Sequence, residues 1–297
     1  IVLLTAANAD KSSPASHPVF TVEKAPDLEK WFDPGEGWGG ADGVFSIPLD
    51  DRRLLVTFGD TFTNRQRRKM VNNSIAILQL RNKTPVAVDF YFGQTSKGEI
   101  RSFVVPEDNR GLFWLAAGLR DGDNLHLFAA HIELTPTGGP FGFRQIGEVL
   151  LTVTNPDAPP QQWQMRQEKI PYFRSDETGS TVVGSATLIP TEADGKHVYI
   201  YGFAEEKTPL FPIKHAIVAR AVKGRLDQVA EWEFYCGPAK LPDDTRPQDL
   251  LTDGAHWTHD FRRATRLARE VASEYSVSYL PCLRSYAMVY TRLGLSQ

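Results

Sequence analysis

Short apolar strands bounded by turn residues recur from about residue 43 to the end of this chain, a pattern that leaves little room for a helical fold. The segments "VFSIPL" and "LLVTFGD" flank the turn "DDRR". "SIAILQL", "SFVVPE", "GLFWLAAG" and "LHLFAAHIEL" follow, with "RDGDN" as a turn. Then come "QIGEVLLTV", "VVGSATLIP", "HVYIYGFAE", "HAIVARAV", "AEWEFYCG", "YSVSYLP" and "SYAMVYTRL". A single stretch, "DFRRATRLAREVA" over residues 260 to 272, reads as a helix or else as an irregular arm. The expected fold class is all-β.

Three strand pairs share one plan: a polar residue opening the first strand, a turn with Asp or Gly, and an aromatic-rich second strand. They are "DGVFSIPL" with "RRLLVTFGD", "GSATLIP" with "GKHVYIYGF", and "EYSVSYLP" with "RSYAMVYT". Such hairpins recurring about every 40 to 90 residues suggest the blades of a β-propeller. A β-sandwich or two stacked β-domains is the alternative, because short strands suit either. "TNPDAPPQQW" reads as a loop within the array, and no Pro/Gly/Ser linker divides it. One domain over residues 31–297, behind an arm of residues 1–30, is therefore expected.

Composition excludes some function classes. A chain of 297 residues that is 41% hydrophobic can bury a substantial core. Its net charge of -3 gives no basic footprint for nucleic acid, and Arg262, Arg263, Arg266 and Arg269 read as a solvated face. The opening "IVLLTAANA" resembles the end of a signal peptide with cleavage after Ala9, which predicts a secreted or periplasmic protein; an N-terminal edge strand is the alternative. No run reaches the roughly 18 apolar residues of a membrane span. Cys236 and Cys282 suit either a disulfide or two thiols. Zinc-peptidase, phosphate-cradling and serine-esterase motifs are all missing from the sequence. "DGDN" at 121 to 124 lacks calcium-loop spacing and reads as a tight turn. No metal-ligand set and no cofactor are expected, a central cation between acidic groups being the one alternative.

The acidic groups in question are Asp42 and Asp60, which are symmetric about residue 51 in the turn of the first hairpin. Residues equidistant from a hairpin turn face each other with Cβ atoms about 4.5 to 5.5 Å apart. Two ionised carboxylates so placed repel, so a proton, a cation or hydrogen-bond donors must compensate. Gly43 follows the first aspartate and Gly59 precedes the second, which suits a close backbone approach. Two turn-capping aspartates would be the structural explanation. A paired acid site is the functional one, of the kind that supports glycoside hydrolysis.

"GWGGADGVFSIPLDDRRLLVTFGDTF", with "MVNNSIAI", "DGKHVYIYGF", "HAIVARA", "WEFYCG" and "SEYSVSYLP...YAMVYT", resembles the five-bladed β-propeller proteins long catalogued as a domain of unknown function. Some members of that group are endo-D-arabinanases. The likeness runs from about residue 31 to the C-terminus. It implies a five-bladed propeller whose last blade is incomplete, since the chain stops at "VYTRLGLSQ". It also implies that Asp42 corresponds to a first-blade catalytic aspartate, Asp60 to the aspartate of "FGDT", and Glu274 to the glutamate of the "EYSV" strand.

Four further residues are candidates for substrate contact, each with a structural alternative. Trp38 and Trp114 could stack on a sugar face or fill the core. Asn73 could present its amide to a sugar hydroxyl or satisfy a neighbouring loop, and His215 could face the funnel or be a satisfied structural residue. The leading expectation is a hydrolase of a furanose-containing polysaccharide, with a polysaccharide or oligosaccharide as partner. Its competitors are a non-catalytic carbohydrate-binding propeller and a structural propeller whose acids hold a cation.

Overall fold

The computed structural model describes residues 2–6, 20–33, 37–64, 69–136, 142–190, 195–209, 211–238, 256–282 and 285–291. They form an all-β protein built from antiparallel sheets in which most strands pair with their neighbours in sequence. The first sheet runs Phe45–Pro48, Arg53–Phe58, Ser74–Arg81 and Thr84–Tyr91. The second runs Leu112–Asp121, Asn124–Leu134, Phe143–Val153 and Met165–Lys169. The third has six strands, with Gly179–Leu188, His197–Glu206 and Ile213–Val222 at its centre. Tyr275–Leu280 and Ser285–Tyr290 make a further hairpin. Residues 2–6 pair with 20–24, so the apolar N-terminal segment is a strand here; residues 7–19 around Ala9 lie outside the described residues.

The leading strand of each unit packs on that of the next: Phe45–Pro48 on Leu112–Asp121, that strand on Gly179–Leu188, and Gly179–Leu188 on Tyr275–Leu280. Apolar side chains fill the gaps. Leu55, Ile75, Leu115, Leu127 and Leu151 lie between the first and second sheets, and Phe128, Leu150, Val198, Ile200 and Trp232 between the second and third. Continuous apolar runs in the central strands, such as Ser74–Arg81 and Phe143–Val153, drive this, since a sheet packed on both faces must be apolar on both.

Register shifts interrupt two of the leading strands, at Leu115/Gly118 and at Val183/Ala186. A bulge takes backbone groups out of the ladder, and buried ones need other partners. Neighbouring sheets supply them: Thr57 Oγ1 donates to the Ala116 carbonyl at 2.9 Å, and Thr187 Oγ1 donates to the Gly118 carbonyl at 2.7 Å. These bonds fix Arg53–Phe58, Leu112–Asp121 and Gly179–Leu188 against one another.

Two expected elements differ from the sequence reading. "SFVVPE" is loop, because Asn73 intercepts its backbone: the Val104 N–H donates to Asn73 Oδ1 at 2.8 Å and the Phe103 N–H to the Asn73 carbonyl at 3.1 Å. "DFRRATRLAREVA" is not a helix. After a turn at Phe261–Arg263 it runs extended beside Ile213–Val222, with Leu267 N–H donating to Ala216 O and Ala216 N–H to Ala268 O, both at 2.8 Å. Its backbone bonds thus go sideways, and Val271 is fully buried. Both cysteines are free thiols, Cys282 exposed and Cys236 half-buried. Among the described residues no helix is long and apolar enough to cross a membrane.

Candidate functional site

The first hairpin keeps one register from its turn to its open end, Phe45 opposite Thr57 and Gly40 opposite Phe62, so Asp42 and Asp60 oppose each other. Between these segments the ladder is irregular. The Asp42 N–H donates to the Asp60 carbonyl at 3.2 Å, while the Asp42 carbonyl accepts from the Gly59 N–H at 2.9 Å. The glycines make this possible. Gly43 has φ +59°, a left-handed conformation, and a Cβ on Gly59 would stand 2.6 Å from Asp42 Oδ1. The Asp42 carboxyl therefore lies directly over bare backbone.

Glu274 joins them from the last hairpin: a Cβ on Gly43 would be 3.8 Å from Glu274 Oε1. Three carboxyl groups, two from the first hairpin and one from the start of the last, thus share one locus. Burial, then the charge of Asp60, pushes the Asp42 carboxyl above its ordinary range, against a backbone N–H of Asp60 that favours its charged form. Burial, then Asp42, pushes Glu274 up, and Lys214 opposes this. Asp60 has donors of its own: Oδ1 accepts from Trp114 Nε1 at 2.9 Å and from Asn72 Nδ2 at 3.3 Å. Burial thus favours the neutral forms of Asp42 and Glu274, while hydrogen-bond donors meet Asp60.

A cleft of about 420 Å³ adjoins this cluster, with Trp114 and Glu274 belonging to both. It crosses the leading strand Gly179–Leu188. On one side lie Trp114, Phe143 and Glu148 of the second sheet; on the other, Ser180, Glu205 and Lys214. Ser180, Glu205 and Lys214 are paired across successive strands, so their side chains share a face. Lys214 Nζ is 3.8 Å from Glu205 Oε2, donates to Ser273 Oγ and lies 4.6 Å from the Phe203 ring centroid. Burial lowers its pKa, with Glu205 and Glu274 opposing.

The other sequence candidates are dispersed. Trp114 is half-buried at the cleft, its ring edge-on to Phe143 at 4.7 Å. Trp38 is in the core, stacked 4.7 Å from Phe90 and packed on Phe58, so it has no face for a sugar. Asn73 is fully buried, and its amide donates to the Val104 and Phe113 carbonyls, each at 2.9 Å. That amide is committed to the fold. His215 pairs with Ala204, on the reverse of the face carrying Lys214, and its Nε2 is 3.6 Å from Glu206 Oε2. Burial and then Arg266 lower its pKa, and it stays outside the cleft. The "DGDN" segment is a tight turn, Asp121 opposite Asn124 with Gly122 at φ +64°. Among the described residues no group of His, Cys, Asp and Glu has the arrangement of a metal site.

Glu148, Glu205 and Lys214 had no signal as site residues. Glu148 and Lys214 sit inside apolar strand patterns and Glu205 at the charged end of one, and only the packing of sheets shows that they meet a cleft. Glu148 is the most buried, at 4% exposure, and accepts the Val183 N–H at Oε2 over 2.9 Å.

Comparison with known proteins places this geometry in context. A family model described as "Domain of unknown function (DUF5005)" matches residues 26–291. Among solved structures, the crystal structure of a presumed hydrolase from Bacteroides ovatus ATCC 8483 superposes with a TM-score of 0.59 at 16% identity, covering 97% of this chain and 71% of that one. That likeness shows a shared fold. No curated protein matches the chain.

Proposed function

The chain belongs to the DUF5005 family, and we propose that it is a glycoside hydrolase acting on a furanose-containing polysaccharide, in the manner of an endo-D-arabinanase. The observation that carries this reading is the meeting of Asp42, Asp60 and Glu274 beside a 420 Å³ cleft with an aromatic wall. Glycoside hydrolysis needs one carboxyl that holds a proton for the leaving oxygen and one that stays ionised as nucleophile or base. Asp42 and Glu274 are both shifted toward the protonated form by burial and by a neighbouring carboxylate. Asp60 accepts two N–H donors on one oxygen, which suits the ionised role.

Glu274 is proposed as the acid, because it alone of the three lines the cleft. Burial is the main cause that keeps the proton on Glu274, Asp42 adds to it when ionised, and Asp42 holds the geometry of Asp60 through the shared backbone bond. Trp114, fixed by Asp60 and Phe143, offers a flat surface to a sugar ring. The likeness of fold to a presumed hydrolase supports the reaction class.

The matching architecture is a β-propeller, with five blades as the family resemblance implies; the successive packing of Phe45–Pro48, Leu112–Asp121, Gly179–Leu188 and Tyr275–Leu280 is compatible with it. Secretion or periplasmic export fits a polysaccharide substrate and the apolar N-terminal segment. No cofactor enters the proposed reaction, and the net charge of -3 does not favour nucleic acid as partner.

The test is hydrolysis of arabinans, fructans and xylans by wild type, Asp42→Asn, Asp60→Asn and Glu274→Gln. Reducing ends should appear with wild type and fall by at least about a hundredfold in Asp60→Asn and Glu274→Gln. Glycan binding without cleavage by wild type would instead establish a carbohydrate-binding module.

A further inference from the structure

The second-sheet wall of the cleft contains a carboxyl that the proposed reaction does not use. Trp114 pairs with Ala130 and Ala130 with Glu148 across three adjacent strands, so the three side chains form a row on one face. Two strand spacings separate the ends of that row, roughly 10 Å. Trp114 at one end touches Asp60, and Ala130 in the middle is too small to fill the space above it. Glu148 at the other end is 96% buried yet lines the cleft.

Its environment is specific. Val183 is the last residue in register before the bulge at Val183/Ala186, and its N–H donates to Glu148 Oε2 at 2.9 Å. Gly184, at φ +87°, is pressed against Phe128, where a Cβ would fall 2.3 Å from the ring, so the backbone cannot retreat from this position. No cation pairs with Glu148 among the described residues. The positive groups of the cleft stand elsewhere: Lys214 is engaged with Glu205 and Ser273 across the leading strand. A carboxyl buried without a cation is held neutral, and its hydroxyl then needs an acceptor.

We infer that Glu148 forms a subsite for a second sugar unit, its carboxyl O–H donating to a ring or hydroxyl oxygen of a neutral glycan whose scissile bond lies at the acid cluster. The roughly 10 Å between the ends of the row is the span of about two sugar rings, so this inference deepens the glycosidase reading and rests on it. Burial pushes the carboxyl well above its ordinary range, in agreement with the geometry. Selectivity follows from chemistry: a neutral donor in a dry wall accepts an uncharged oxygen and penalises an apolar group that leaves the O–H unsatisfied.

The experiment has two arms, with Glu148→Gln and Glu148→Leu as variants. In the first, carboxyl carbons of glutamate-labelled protein are titrated by NMR, and Glu148 is identified by the resonance lost in Glu148→Gln. That resonance should remain in its protonated position at neutral pH; titration along with the surface glutamates would overturn the inference. In the second, calorimetry measures binding of neutral arabino-, fructo- and xylo-oligosaccharides of increasing length. Glu148→Leu should bind chains of two or more units about tenfold more weakly, and Glu148→Gln, which keeps a donor, within about threefold of wild type. Equal affinity of all three proteins, or no binding by wild type, would overturn it. Binding that depends on Glu148 with no cleavage by any protein would leave the subsite standing and remove the hydrolase reading.

Discussion

Replacing Asn73 with alanine should destabilise the protein by about 3 kcal/mol or more, a large share of the roughly 5 to 15 kcal/mol typical of a folded domain. The figure comes from the side chain's partners. Its amide donates to the Val104 and Phe113 carbonyls, each at 2.9 Å, and its carbonyl oxygen accepts the Val104 N–H at 2.8 Å. Alanine leaves three buried backbone groups without those bonds, each costing about 1 to 3 kcal/mol when solvent cannot replace the partner. The lower end of the summed range applies if a water enters. The Phe113 carbonyl immediately precedes Trp114, so the same change should loosen the indole that donates to Asp60. Urea unfolding followed by tryptophan fluorescence gives the midpoint and slope, and a lower midpoint at unchanged slope reports lost stability rather than an altered unfolded state. A loss under about 1 kcal/mol would refute the reasoning, because it would mean that Asn73 is not the staple between the first sheet and the second.

Four other outcomes follow from the same geometry. Gly59→Ala places a methyl group 2.6 Å from Asp42 Oδ1 and must displace that carboxyl; glycan hydrolysis should fall about a hundredfold with little change in melting temperature. Lys214→Met removes the charge that lowers the Glu274 pKa, so Glu274 should titrate at higher pH, read from its carboxyl carbon shift. The raised pKa of Glu148 means that the folded state binds its proton more tightly than the unfolded state. Stability is then lost as pH rises from the ordinary glutamate range toward the raised value, and Glu148→Gln should flatten that part of a stability-against-pH curve. Glu133 has the opposite sign: Arg110 and Arg144 hold it at about 2, so any stability it contributes is present above the ordinary glutamate pKa and lost as pH falls toward that value. The latter group is exposed, and Glu133→Gln should change neutral-pH stability only slightly.

Much of the strand pattern was legible because β-branched and aromatic residues alternate within it. Arg53–Phe58, Ser74–Arg81 and His197–Glu206 all lie where their apolar runs predict them. Met165–Lys169, with the sequence "MRQEK", was not legible, since an outer strand needs little apolar alternation once its neighbour pairs with it. The apolar "SFVVPE" misled in the other direction, because its backbone bonds go to a side chain. The position of Asp42 opposite Asp60 could be read from symmetry about the turn, and the register is as that symmetry requires. Glu274 came from family resemblance alone. The distinction between Trp38 in the core and Trp114 at the cleft was not readable, because composition is the same and only the facing sheet differs. His215 and Lys214 are adjacent in sequence and point to opposite faces, so a shift of one residue separates the candidate named from sequence from the residue that lines the cleft.

The most direct test of the central claim is the reducing-end yield from an arabinan, fructan and xylan panel with wild type and Asp60→Asn at equal folded concentration. Cleavage of at least one glycan by wild type, reduced at least about a hundredfold in Asp60→Asn with binding retained, is the predicted result. Equal cleavage by the two proteins would contradict the assignment of chemistry to the carboxyl cluster.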